Sequence, residues 1–439
     1  MLRLAPRLRI TVPLLAIGLG ACSDVADRAV APTIAGNAAS GAFAAFTPLP
    51  GSAACVAPPA AHADFATYQP LIVSGNLTQR IILDQITDFT PVAGSGGDLP
   101  DMLTQNETGP DAFRYIYHTH EVGSNGALTV TDMTTGITTV AAQQQHYEAL
   151  DGIVWTPWGT VLFAEERSVA TFRDPQVPDA VGGLLYEYDP ATGQTVPRPA
   201  FGARSHEGLR FDSHGALYGI SESTLGVNGS GAIFKFVPDV AGDLSAGQLY
   251  GLQVKDPSRT GRARWVALDR DAVQVNSDAE AIAKGATGWG RPEDIEVIPN
   301  VPMGGRRQDV MYVTSTSENL VLRLVLDGAE ATVSNFLKEG VNVFGLNNPD
   351  NLELDEVGNL YVVEDNGPSD VWLVRTGGGQ LSQATSAGRW ISLADCSAEL
   401  SGLYFDRTDS RRAWVHVQHA GGALSNDLML EITKPRLTQ

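Results

Sequence analysis

The chain has 439 residues, 43% of them hydrophobic, with Gly 46 and Pro 25. That is enough for one large core or two ordinary domains, and it argues against global disorder. The formal charge of −20 at pH 7 argues against nucleic acid or an anionic membrane surface as a partner. It fits an exported protein or one that collects cations.

The N-terminal stretch MLRLAPRLRITVPLLAIGLGAC places Arg3, Arg7 and Arg9 ahead of an apolar run from Ile10. It is too short for a stable membrane helix and predicts a secretory signal over 1–21. Its end, Leu19-Gly20-Ala21-Cys22, resembles the lipobox of bacterial lipoproteins. The resemblance implies lipidation of Cys22 and an exported protein held at the bacterial outer membrane, periplasmic or at the cell surface, by that lipid alone. An ordinary signal cut after Ala21 is the alternative. Residues 22–50, rich in Ala, Pro, Ser and Thr, predict a lipidated N-terminus and flexible tether. Residues 51–439 are then one domain. In an oxidising compartment Cys55 and Cys396 are candidates for a disulfide joining its start to its end. Spacing alone leaves the paired and free states open.

No long stretch keeps a helical period. Short apolar runs between Gly, Asp, Asn and Pro predict many short strands. Three segments align without a gap: DGIVWTPWGTVLFAEE from Asp151, EGLRFDSHGALYGISE from Glu207 and DNLELDEVGNLYVVED from Asp350. Each opens on an acid, runs as a strand, turns at a glycine (Gly159, Gly215, Gly358), runs back and closes on an acid. Looser copies start at Glu293 and Ser401, and a partial one ends at Glu121. Steps of about 50 residues suit one four-stranded propeller blade. The longer step from Glu207 to Glu293 predicts an insertion within 238–290, where DAEAIAKGATGW reads as a short helix or loop. The expected fold is an all-β propeller of five or six blades, six fitting the steps better; a pair of β-sandwiches is the alternative.

Equivalent positions of a propeller converge on its axis. Glu121, Asp151, Glu165, Glu166, Glu207, Glu222, Glu293, Asp294, Asp350, Asn351, Glu364 and Asp365 are therefore expected to gather at one mouth. Carboxylates packed so closely repel unless a cation compensates, and hard oxygen ligands favour Ca²⁺, Mg²⁺, Mn²⁺ or oxidised iron. Capping of turns by the same acids is the plain alternative, and it is the better account of Asp212, Asp355 and Asp406. His118-x-His120 and His416-x-x-His419 have ligand-like spacing, but a polar role near a rim is the commoner use. Arg291 and Arg204 stand beside the expected ligands, either to hold a phosphoryl group or to pair with the acids. His206 could donate a proton or orient Glu207. No nucleophile elbow, phosphate loop or dinucleotide fingerprint is present.

The motifs HTHE (118–121), WTPWGTVLFAEE (155–166), SHEG (205–208), GRPED (290–294), NPDNLELDEVGNLYVVEDNG (348–367) and WVHVQHAG (414–421) resemble the PhoX-type alkaline phosphatases. The resemblance spans about residues 110–425. It implies an exported propeller that holds iron and calcium by carboxylates and hydrolyses phosphate monoesters, with metal-bound hydroxide as nucleophile. Glu121, Glu165, Glu166, Glu207 and Glu293 become the expected ligands, with Asp350, Asn351 and Asp365 beside them. Where the family brings a cysteine to iron, this chain has Ala164. A methyl group cannot replace a thiolate, so Ca²⁺ is expected and Fe³⁺ disfavoured. The expected partner is a small-molecule phosphate ester bound by a monomer. A gluconolactonase-like calcium propeller and a non-enzymatic, calcium-stabilised scaffold lipoprotein are the alternatives.

Overall fold

The computed structural model describes residues 41–89, 98–223, 231–376 and 384–436. The signal, Cys22 and residues 23–40 of the tether lie outside the described residues. Strands dominate, and many are buried along their whole length: Val161–Glu165 and Leu217–Ser221 have no exposed position. Their apolar runs do not alternate with polar residues because both faces are covered. Val161 and Phe163 pack with Tyr117 and Leu128 of the preceding sheet. Leu162 and Ala164 pack with Leu209 and Phe234 of the following one. Successive side chains thus go to opposite neighbours, as strand geometry requires.

The strands run as antiparallel meanders. One sheet orders Pro100–Gln105, Tyr115–His120, Ala127–Asp132 and Ile137–Gln143. The next orders Leu150–Trp155, Val161–Glu165, Leu185–Asp189 and Gln194–Pro197. Another orders Pro349–Leu354, Leu360–Glu364, Asp370–Thr376 and Ala384–Leu393, with Leu71–Val73 added at its outer edge. A fourth, Glu399–Phe405, Arg412–Gln418 and Leu428–Thr433, is completed by Thr78–Asp84 from the other end of the chain. The largest sheet runs from His206–Phe211 to Ile295–Met303. In it Gly261–Ala267 pairs with Glu330–Lys338 and joins two meanders at their outer edges.

The insertion expected within 238–290 is this joining strand together with the helix Ala272–Ala283. The helix covers the expected DAEAIA stretch, and Val273 and Ala281 seat it against Phe201 and Phe234. The innermost strands Pro100–Gln105, Leu150–Trp155, His206–Phe211, Ile295–Met303, Pro349–Leu354 and Glu399–Phe405 touch one another in that order, and the last touches the first. The result is a propeller-like arrangement around a central channel rather than two sandwiches. Cys55 and Cys396 form a disulfide across 341 residues, their Cα atoms 5.3 Å apart.

Within a meander the innermost strand runs away from one mouth of the channel and turns back at the other end. The aligned turn glycines Gly159, Gly215 and Gly358 all have positive φ, from 80° to 92°, which only glycine adopts at little cost. Asp212 and Asp355 each accept two backbone N–H groups there, and Asp406 accepts that of Thr408. These acids are turn caps, as expected.

Candidate metal centre

Two positions of each repeat converge on the channel mouth. The first opens the innermost strand: Asp101, Asp151, Glu207, Glu293, Asp350 and, in the last meander, Ser401. Strand register breaks between Pro100 and Leu103, Leu150 and Ile153, His206 and Leu209, Pro349 and Leu352, and Ser401 and Tyr404. A bulge of this kind re-aims a residue out of the ladder, and an acid occupies it in the first four; in the last the break falls on Gly402 and Leu403, and Ser401, paired with His416, donates its hydroxyl to Asp101. The second position closes the neighbouring strand with Glu121, Glu166, Glu222 and Asp365. The corresponding residues elsewhere are Thr316 and His419, and Glu399 joins the set beside Asp365.

These carboxylates stand within ligand range of one another. One oxygen each of Asp151, Glu166 and Glu207 lies within 4.8 Å of the others, and the same holds for Glu207, Glu222 and Glu293. Burial raises the Asp151 carboxyl to about 6, and Glu121 and Glu222 add to it. Burial first, then like charge, pushes Glu166, Glu207, Glu293 and Asp350 well above the ordinary carboxylate range. Burial and Asp365 raise Glu399 to about 10. The hydrogen bond from Glu399, with Arg291 nearby, holds Asp365 low.

Arg291 is the main countercharge. Its Nε donates to Glu222 Oε1 at 2.6 Å, and its Nη2 lies 2.9 Å from Glu293 Oε1 and 3.3 Å from Asp365 Oδ2. The His419 ring lies 3.4 Å from Glu399 and 3.9 Å from Glu121. Three positions further along the innermost strands the balance is different. There Arg210 meets Glu296 at 2.5 Å and Glu353 at 3.8 Å, while Arg407 meets Glu353 and Glu107, both at 3.2 Å. The lower channel is a network in which each of three glutamates, Glu107, Glu296 and Glu353, has an arginine beside it. The mouth, built from the same repeat, carries an uncompensated excess of carboxylate.

Several expected residues do not join this set. Glu165 points to the face opposite Glu166, and its oxygens accept the amides of Glu148 at 3.0 Å and Leu184 at 2.9 Å. It is a buried structural carboxyl, raised to about 8 by burial. Glu364 repeats this role, accepting from Asn347 N and Trp372 Nε1. Asp294 bonds the Leu352 amide of the neighbouring meander. Asn351 does the same for Gly402 N and donates to Asp350, so it positions rather than ligates. Arg204 is buried between Phe201 and Phe234, 4.5 and 4.3 Å from their ring centres. It donates to the carbonyls of Ile220 and Phe201 and cannot reach a phosphoryl group at the mouth. His206 stacks on Phe201 and bonds Gly202 O. It alternates with Glu207, so it neither orients that carboxylate nor faces the mouth. His118 and His120 share one strand face, but their ring nitrogens are used by His416, Thr131, Asp98 O and Thr129. In a third group, Asp212, His214 and Asp309, the two aspartates hold turn amides instead.

Asp101 and Glu399 were not marked by the repeat pattern. Asp101-Met102-Leu103 has the same form as Asp151-Gly152-Ile153, which is the signal that locates it. Glu399 precedes its repeat by two residues and has no such signal.

The family model for alkaline phosphatase PhoX matches residues 152–421. The chain belongs to the PhoX family. Members of this family are exported and metal-dependent, and the disulfide fits an extracytoplasmic protein. No match was found among curated protein sequences. Among solved structures, a gluconolactonase from Xanthomonas campestris is 14% identical with a TM-score of 0.49, over 88% of this chain and 96% of that one. An aldose sugar dehydrogenase from Streptomyces coelicolor is 13% identical with a TM-score of 0.43, over 82% and 99%. A luciferin-regenerating enzyme is 12% identical with a TM-score of 0.42, over 80% and 95%. Identities this low carry no activity from one chain to another.

The mouth suits a hard cation. The two triads offer carboxylate oxygens alone, and Asp151 Oδ1 is buried with no hydrogen-bond partner. A thiolate-linked iron does not fit: Ala164 is fully buried among Leu162, Leu185 and Phe201. Among the described residues the cysteines are disulfide-bonded.

Proposed function

We propose that this chain is a metal-dependent hydrolase of phosphate esters. The PhoX family supports a phosphatase-type hydrolase with a small phosphate ester as substrate. The observation that carries the reading is the contrast along the channel: Glu107, Glu296 and Glu353 below each have an arginine at 3.2 Å or less, whereas among the described residues no arginine or lysine pairs with Asp151, Glu166 or Glu207 at the mouth. Six meanders whose innermost strands close a circuit support counting six blades. Lipidation at Cys22 and an outer-membrane anchor belong to the same proposal, on the strength of the LGAC motif.

In this reading Glu121, Asp151, Glu166, Glu207, Glu222, Glu293, Asp350 and Asp365 hold the cations, calcium first. Bound cations would supply Lewis-acid activation of water and of the phosphoryl oxygens. Asn351 and Asp294 hold adjacent innermost strands in register so that the carboxylates keep their spacing. Arg291 is a guanidinium of the mouth placed to meet a phosphate dianion, with fork geometry suited to two of its oxygens. The carboxylate excess keeps an anionic substrate out until cations have bound.

The test is turnover of aryl phosphates and phosphodiesters by purified protein loaded with Ca²⁺, with Fe³⁺ as a second arm and a lactone panel in parallel. Phosphate release that EDTA abolishes is expected. Absence of phosphate release in every arm sinks the proposal, and lactone hydrolysis with calcium alone replaces it with the lactonase alternative.

A further inference from the structure

We propose that Arg291 is a resident counter-ion that occupies one of two cation subsites in the mouth and is displaced when that subsite fills. The inference rests on the metal-dependent reading above.

Glu207 is common to two carboxylate triads, with Asp151 and Glu166 on one side and Glu222 and Glu293 on the other. The two sides are not electrostatically alike. Arg291 bridges Glu222, Glu293 and Asp365 on the second side. On the first side, no lysine or arginine among the described residues pairs with Asp151, Glu166 or Glu207. Asp151 is 7% exposed, and its Oδ1 has no hydrogen-bond partner; Glu293 Oε1 on the second side also lacks a hydrogen bond but has the Arg291 guanidinium 2.9 Å away. A buried polar atom left without a partner costs about 1–3 kcal/mol, so the first side lacks a ligand that the second side already has.

The guanidinium and a metal ion compete for the same oxygens. Arg291 takes one oxygen each from Glu222 and Glu293, and a second positive charge a few ångströms away would repel it. A guanidinium keeps its proton in proteins. Arg291 therefore stays charged at every working pH and cannot vacate the subsite by losing a proton. It leaves only by moving, and displacing it breaks a charge-assisted fork. The first subsite is thus the tight one and the second the weak one. Arg291, once displaced, is a free cation at the lip of the mouth, where an anionic ester would arrive.

The test is calorimetric titration of the whole exported chain with CaCl₂, after dialysis against chelator. Wild type should show two classes of site. Arg291→Gln should tighten the weaker class by about tenfold, the value of one charge-assisted bond of about 1.4 kcal/mol, and leave the tighter class nearly unchanged. Arg291→Lys keeps a point charge without the fork and should fall between the two. A second measurement needs no variant. Arg291 is 37% exposed, so its labelling by phenylglyoxal, read by peptide mass spectrometry, should accelerate as the weaker class fills. An Arg291→Gln isotherm identical to wild type, or labelling that calcium leaves unchanged or slows, overturns the inference while the hydrolase reading stands. Absence of calcium binding in wild type and variant alike overturns both.

Discussion

Glu165 and Glu166 are neighbours with opposite work, and a pair of substitutions separates them. Glu165 accepts two backbone amides in the interior, so Glu165→Gln replaces one acceptor with a donor that faces an N–H. Leaving one such amide unpaired should cost about 1–3 kcal/mol, read as a lower melting temperature with calcium binding unchanged. Glu166 faces other carboxylates, so Glu166→Ala removes repulsion as well as a ligand. The metal-free variant should melt no lower than wild type, whereas its stabilisation by calcium should shrink. Equal calcium responses in Glu166→Ala and wild type would show that the site lies elsewhere. Both acids read as ligands in the sequence, but adjacency on a strand guarantees that they diverge. Alternation was available from the sequence to choose between them. The choice of face was not, because both faces of this strand are buried. His206 and Glu207 present the same case: the alternation that puts Glu207 in the mouth sends His206 to Phe201.

Between adjacent innermost strands the limiting feature is closeness. At Gly208 an added Cβ would lie 1.9 Å from Asp294 Oδ1 and 2.8 Å from the backbone of Asp294 and Ile295. Asp294 cannot yield, since its carboxylate also binds the amides of Ile295 and Leu352. Gly208→Ala should therefore force the strands apart, at a cost of about 1–3 kcal/mol or more, and displace Glu207 from both triads. Loss of calcium response together with lowered stability is the expected outcome. Gly51→Ala, with open space around it, serves as the control and should be within about 0.5 kcal/mol of wild type. A Gly208→Ala protein as stable and as calcium-responsive as wild type would mean that the strand spacing does not set the site. The repeat itself was legible at this scale because each copy kept an acid, a turn glycine and a closing acid in register. The first copy keeps a positive-φ glycine, Gly109, eight residues after Asp101, but a longer turn delays its second strand to Tyr115–His120 and hides Asp101, while Glu399 lies two residues ahead of its repeat. The joining strand Gly261–Ala267 was also hidden, since its partner lies outside any local pattern. The same holds for the pairing of Thr78–Asp84 with Leu428–Thr433, which closes the circuit across nearly the whole chain.

For the molecule as a whole, the mouth makes stability depend on pH and on cations together. Asp151 rises to about 6 and Glu399 to about 10, and Glu166, Glu207, Glu293 and Asp350 also rise. Between the ordinary carboxylate pKa near 4 and these raised values, the folded state binds more protons than the unfolded chain. Metal-free stability must then fall as pH increases through that window. The buried histidines act oppositely. Burial lowers His120 to about 4 and His416 to about 3, so their contribution is complete above the ordinary histidine value and is lost as pH falls below it. The two slopes place the metal-free optimum in the mildly acidic range. A cation substitutes for the protons, so it competes with them at pH 5 and meets ionised carboxylates at pH 8. Chelator-dialysed protein should melt several degrees lower at pH 8 than at pH 6. Millimolar calcium should restore the difference at pH 8 and do little at pH 5, following the usual dependence of stability on ligand saturation. Melting curves across that grid decide the matter. A metal-free protein whose melting temperature is flat from pH 6 to 8 would mean that the carboxylates are satisfied without a cation. The acidic mouth would then be a structural ring rather than a binding site.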